Sequence, residues 1–201
     1  MSVDLAPRLV ASERIMNGDM ENWPSTVAAA GWTFYQNDGY ITQDTTEQRI
    51  GLSCARISYL GSASVGLERY DVNIPPGQWC LVEAWAKATA ARTNGLGLRL
   101  INLTKSREVN ASSQWVTAAT NYALIGSFNA AMVYQKFAFL FRAEDTAGIS
   151  DLYAPVAYLL NTGGWSYGQS IYLDSISLST PNARPIDRLG LAPLTHTAGL
   201  H

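Results

Sequence analysis

The sequence predicts an all-β domain: a jelly-roll β-sandwich of two antiparallel sheets, with an extended arm at either end. Three observations carry this. Aromatic and β-branched runs separated by Gly, Pro and Asn turns recur from residue 14 to residue 178, and no stretch holds a helical period over three turns. The clearest runs pair a uniformly apolar face with a mixed one, as two sheets packed face to face require. After Ser179 the alternation stops, and PNARPIDRLGLAPLTHTAGLH carries three prolines and no period. The chain therefore divides into an N-terminal arm (1–13), a sandwich (14–179) and an extended C-terminal arm (180–201).

Strands are expected near 14–20, 31–36, 53–59, 64–72, 78–88, 95–102, 115–118, 122–128, 133–142, 151–160 and 170–179. In Gln78–Ala88, one parity holds Cys80, Val82, Ala84 and Ala86 and faces the core. The other holds Leu81, Glu83, Trp85 and Lys87. Leu96, Leu98 and Leu100 point inward from the next run, with Gly97, Arg99 and Ile101 outward. Phe137, Phe139 and Phe141 share a face, opposite Tyr134, Lys136, Ala138, Leu140 and Arg142. Pro75-Pro76-Gly77 cannot continue a ladder and marks a sharp connection. Residues 161–168 read as a flexible loop carrying Trp165 and Tyr167.

A chain of 201 residues buries a core without staples. Hydrophobic residues make up 47% and charged residues 15%, which argues against disorder and points either to many residues covered on both faces or to surface buried by a partner. The formal net charge is −2 and the 14 Lys and Arg are scattered, so no basic stripe follows a phosphate backbone and nucleic acid is not an expected partner. Apolar runs fall far short of the ~20 residues of a spanning helix, so membrane insertion is not expected. The start, MSVDLAPRLVASERIM, lacks the basic and apolar regions of a secretory signal. Folding inside a cell is therefore expected, with Cys54 and Cys80 as small buried hydrophobes; a disulfide between neighbouring strands is the lesser alternative.

Three segments, in order, resemble the carbohydrate-binding-module jelly rolls of the xylan- and cellulose-binding superfamily. They are Asn17-Gly-Asp-Met-Glu21-Asn-Trp followed by Gly31-Trp32, Pro76-Gly-Gln-Trp-Cys-Leu-Val-Glu-Ala-Trp-Ala-Lys-Ala88, and Ile171-Tyr-Leu-Asp174-Ser-Ile-Ser-Leu178. Met20 replaces an aromatic residue of that pattern, and Ser175 replaces a second aspartate. The resemblance spans about residues 14–179 and implies a jelly roll that binds glycans. It also implies a structural calcium ion held by Glu21 and Asp174, with carbonyls around Gln48 to Gly51 completing the oxygen shell and Asp19 competing for the same position. Asp174 shares parity with Tyr172, Ile176 and Leu178, so it is expected at the interior or rim, where a carboxylate needs a partner. The alternative is that Asp174 accepts backbone amide hydrogen bonds and Glu21 is solvated.

Sugar rings stack on Trp and Tyr, and polar side chains set specificity. Trp85, Glu83, Arg99, Tyr134 and Lys136 are candidates for one shared outward surface, and Trp115, Tyr122, Trp165 and Tyr167 are candidates in loops. Each has a plainer reading: Trp85 packs beneath a loop, Trp115 and Trp165 pack locally or touch protein, and Trp32 is core. Catalysis is not expected. Both histidines, His196 and His201, lie in the tail, so a Ser-His-Asp arrangement and a zinc site lack their histidine. Glu68, Asp71, Glu83, Glu144 and Asp145 read as surface charges rather than a glycosidase pair.

These features together suggest a non-catalytic phage virion protein: a capsid decoration, head-fibre or tail-fibre subunit folded in the host cytoplasm. Its arms would contact other virion proteins, it would assemble as a homo-oligomer, with a trimer favoured, and it would attach to host or environmental glycans. The alternatives are a free-standing carbohydrate-binding module accessory to a polysaccharide-degrading enzyme, and a purely architectural virion protein with no sugar binding.

Overall fold

The computed structural model describes residues 12–13, 17–35, 39–61, 64–70, 72–117, 121–144 and 151–180. Among them the strands are β1 (Ser12–Glu13), β2 (Thr33–Tyr35), β3 (Gly39–Asp44), β4 (Cys54–Tyr59), β5 (Val65–Glu68), β6 (Val72–Ile74), β7 (Trp79–Ala88), β8 (Arg92–Asn102), β9 (Arg107–Val109), β10 (Trp115–Thr117), β11 (Leu124–Phe128), β12 (Gln135–Arg142), β13 (Asp151–Leu159) and β14 (Ser170–Thr180). They form two antiparallel sheets. The six-stranded sheet runs β12-β7-β14-β4-β3, with β1 also on β14. The eight-stranded sheet runs β10-β9-β8-β13-β5-β2, with β11 on β8 and β6 on β13. This is the β-sandwich expected from the alternation.

The inward faces meet as predicted. Cys80, Val82, Ala84 and Ala86 of β7 and Phe137, Phe139 and Phe141 of β12 pack against Leu96, Leu98 and Leu100 of β8. Aromatic rings knit the layers: Phe128 and Phe137 stand 5.3 Å apart edge to face, and Phe141 lies 6.3 Å from Tyr153. Burying each such ring stabilises the fold by about 1.5–3 kcal/mol. Trp32 is core, and its Nε1 donates to the Asn17 carbonyl at 3.0 Å. Cys54 and Cys80 are buried free thiols.

Several expectations need correcting. Residues 17–20 form a turn rather than part of a strand, with Asn17 and Met20 at φ of 53° and 60°. The Asn17 side chain closes it, taking the Asn22 amide at 2.7 Å and donating to the carbonyls of Asn22 and Ala30. Residues 14–16 lie outside the described residues. β3 and β9 were not anticipated, and β5 and β6 are separate strands rather than one run over 64–72. The predicted arms lie outside the described residues except at their inner edges, where Ser12 and Glu13 pair with Thr180 and Ser179.

Asp174 does not point into the sandwich. Against β7, Leu173 pairs with Ala86 and Ser175 with Trp85, which leaves Asp174 as an extra, bulged residue. Core positions in β14 therefore run Ile171, Leu173, then Ile176, Leu178. The parity switches at the bulge, so Asp174 belongs with Tyr172 on the outer face and not with Ile176 and Leu178.

Phe141 is fully buried and touches Trp115 and Tyr153 of the facing sheet and Phe139 of its own. Phe141→Ala should lower stability by about 3–5 kcal/mol, read in urea titration as a lower midpoint at an unchanged slope.

Candidate functional site

The two outer faces of the sandwich differ in what covers them. On the six-stranded sheet, the 45–52 loop leaves β3 through Asp44, whose Oδ1 accepts from the amides of Thr46 and Glu47. It then folds back over β7 and β14. Asp174 Oδ2 accepts from the amides of Arg49 at 2.6 Å and Ile50 at 3.2 Å. The Arg49 guanidinium sits 3.8 Å over the Trp85 ring, a cation–π contact. Buried Lys87 pairs with Glu47 at 2.7 Å, and the Tyr134 hydroxyl donates to the Glu47 carbonyl at 2.7 Å. Glu83 pairs with Lys136 on the same face. Trp85, Glu83 and Tyr134 thus come together as expected, but Trp85 lies under Arg49 and Tyr134 is tied to the loop. Beside Tyr134, burial pushes the Cys54 thiol up to about 12.

The residues expected to hold calcium meet on this loop. Glu21 accepts from the Leu52 amide at 2.9 Å and the Ser53 amide at 3.3 Å. A Cβ at Gly51, whose φ is 83°, would collide with the Glu21 carboxylate, so glycine allows this approach. Gln48 Oε1 is a buried acceptor with no donor among the described residues, and Asp19 is exposed. Among the described residues, no group of three His, Cys, Asp or Glu side chains gathers as metal ligands. In this arrangement the carboxylates are met by N–H groups, where a cation cage needs carbonyl oxygens. The donor set does not fit calcium unless the loop turns.

The eight-stranded sheet presents a different outer face. With Leu96 and Leu98 inward, Gly97 faces out, and the Tyr122 ring lies where its Cβ would be; Tyr158 covers Gly66 of β5 in the same way. Tyr122 and Tyr158 meet edge to face at 6.3 Å, and Tyr158 and Tyr35 lie 6.2 Å apart. The Tyr35 and Tyr70 hydroxyls are 2.6 Å apart, and Tyr70 donates to Glu68 Oε2 at 3.0 Å. Four tyrosines from separate parts of the chain thus form one row across the sheet. Arg99 lies on this face too, 5.7 Å from the Tyr158 ring and paired with buried Glu108. Glu108 also takes the Asn121 amide at 2.5 Å. Burial pushes the Tyr122 and Tyr158 hydroxyls up, and hydrogen bonding to Tyr70 and then Glu68 raises Tyr35, so the row stays uncharged at neutral pH.

Arg99 therefore lies on the sheet opposite Trp85, Glu83 and Tyr134, and the expected single surface is two. Trp165 is 7% exposed, packed on Phe128 at 6.4 Å, and belongs to the core rather than to an open loop. A short 3-10 turn, Asn161–Gly163, opens that segment. Trp115 packs on Phe141 and Tyr153, donates to the Arg142 carbonyl at 2.8 Å, and lines a cleft of about 550 Å³ with Lys105, Arg107 and Arg142. Tyr167 stands alone at 78% exposure. Glu68 and Glu144 are not surface charges: Glu68 is 3% exposed, and Glu144 pairs with Arg107. Asp71, Asp145, His196 and His201 lie outside the described residues. Tyr35, Tyr70, Tyr158 and Glu68 were missed as site residues. The outward parity of Tyr158 was visible in its strand, but nothing local placed it beside the other three.

No family model matches the sequence, and no curated protein is significantly similar to it. Solved structures are similar in fold. The CBM22-1 xylan-binding domain of Paenibacillus barcinonensis Xyn10C matches 87% of this chain and 97% of its own, at 11% identity and a TM-score of 0.55. The chain has a carbohydrate-binding-module-like jelly roll. A cyclase from Fischerella sp. TAU shares the fold over 87% of this chain and all of its own, at 12% identity and a TM-score of 0.58. The enzymatically active domain of a bacteriophage CBA120 tailspike matches 84% of this chain but 21% of that chain, at 11% identity and a TM-score of 0.53. At these identities the likeness concerns fold alone.

Two outcomes follow from the covered face. Asp174→Ala should expose the Arg49 and Ile50 amides to hydrogen exchange and cost about 1–3 kcal/mol of stability. Cys54 should resist a thiol reagent at pH 8 in the folded protein and react once urea unfolds it, because its thiol ionises only near pH 12.

Proposed function

We propose that this protein is a non-catalytic glycan-binding module that takes its ligand on the outer face of the eight-stranded sheet. The observation that carries this is the row Tyr122–Tyr158–Tyr35–Tyr70, which offers successive aromatic surfaces for sugar rings with Arg99 and Glu68 beside them. The carbohydrate-binding-module-like fold supports the reading. The opposite face supports it by contrast, because the 45–52 loop occupies the surface around Trp85.

The test is a polysaccharide pull-down and glycan array with the wild type, Tyr158→Ala and Trp85→Ala. Stacking on one ring contributes roughly 1 kcal/mol, so Tyr158→Ala should weaken binding several-fold or more. Trp85→Ala should bind as the wild type does. Loss in the Trp85 variant alone would move the site to the other sheet, and silence from a folded wild type would favour the architectural alternative.

A second reading places the module on a phage particle, supported by the recurrence of the fold within a tailspike. Light scattering discriminates: a trimer in solution favours a fibre or decoration role, whereas a monomer favours a module accessory to an enzyme. Calcium belongs to the proposal only with a turned loop, in which Glu21, Asp174 and Gln48 Oε1 become ligands. Added calcium should then raise the melting temperature by several degrees, and a chelator should reverse it; no response identifies the amide-bound loop as the native form.

A further inference from the structure

We propose that the tyrosine face selects sugars bearing a free amine, with Glu68 as the counter-ion for the protonated nitrogen. This rests on the glycan-binding reading above and adds the ligand's charge to it. Glu68 is 3% exposed, and the groups that hydrogen-bond to it, the Tyr70 and Tyr35 hydroxyls, are neutral. A buried carboxylate without a cation is costly, and removing it from water is offset only by opposite charge and good hydrogen bonds.

The cations that would serve are engaged or face elsewhere. Arg99 is paired with Glu108. Arg69 follows Glu68 directly, and its guanidinium lies at Gly31, where a Cβ would collide with it. Among the described residues, no Lys or Arg forms an ion pair with Glu68. Meanwhile Tyr35, Tyr70 and Tyr158 surround the position with aromatic rings and hydroxyl oxygens. Tyr70 is 41% exposed, so the contact to Glu68 runs through a side chain open to solvent.

A π-rich surface around one unpaired carboxylate is what an ammonium group requires. Its charge meets Glu68, its three protons reach the carboxylate and the tyrosine oxygens, and ring faces stabilise it through their quadrupoles. An N-acetylated or unsubstituted sugar brings no charge and leaves Glu68 unpaired. A uronate adds a like charge beside it, which is unfavourable.

The experiment is titration calorimetry with three oligosaccharides of equal length, built from glucosamine, N-acetylglucosamine and glucose. The wild type should bind the glucosamine oligomer roughly tenfold more tightly than either other. In Glu68→Gln, checked for folding by circular dichroism, that ratio should fall to about one. A pH series on the wild type gives an answer independent of the variant: the preference should vanish as the sugar amine loses its proton. Equal binding of all three oligomers, or a preference that survives deprotonation, overturns the counter-ion role and leaves the glycan reading standing. Failure of all three to bind overturns the amine preference, and the glycan reading then fails only if the polysaccharide array is silent as well.

Discussion

Two carboxylates, Asp174 and Glu21, accept amide hydrogen bonds from residues 49–53, and the distribution of free surface on this protein depends on that fastening. A loop of this length carries polar backbone groups that need partners when it lies on a sheet. The carboxylates supply them at two points, the Lys87–Glu47 pair and the Tyr134 hydroxyl add others, and Arg49 lies on Trp85. The six-stranded sheet is consequently clad by its own chain. Asp174 lies outward with Tyr172, and the bulge after Leu173 lets Ile176 and Leu178 return to the core beyond it.

The eight-stranded sheet solves the covering problem differently. Its outer face uses side chains rather than a loop. Gly66 and Gly97 remove two Cβ atoms from the pleat, and the rings of Tyr158 and Tyr122 occupy the space. Beneath and beside them lie the Arg99–Glu108 pair and Glu68. The result is a surface of rings and hydroxyls over buried charge, in which one carboxylate, Glu68, has no ion-pair partner among the described residues. Surfaces of this composition suit ligands that are flat, hydroxylated and held by several weak contacts at once.

The neighbours in structure space show how little the sandwich decides by itself. A xylan-binding domain, a cyclase and part of a tailspike share this framework at 11–12% identity.

The sequence by itself determined the fold class, most strands and the composition of the core. Alternation with period 2 is a local property, so Cys80–Ala86, Leu96–Leu100 and Phe137–Phe141 declared their inward faces without any knowledge of partners. The motif around Asn17–Glu21 and the closing Ile171–Leu178 run were also visible, though not the roles of Asn17 as the knot of a turn or Asp174 as a bulge. Only the tertiary structure decided which outward residues share a surface. Arg99 and Trp85 have the same local signature and lie on opposite sheets. Tyr35, Tyr70, Tyr122 and Tyr158 are far apart in the chain and become neighbours through strand order and register. The path of the connection before β14 buried Trp165 and left Tyr167 exposed, and tertiary packing gave Glu108 the Arg99 guanidinium but Glu68 tyrosine hydroxyls. Period 2 tells which way a side chain points from its strand, whereas its company is set by long-range pairing that no local pattern encodes.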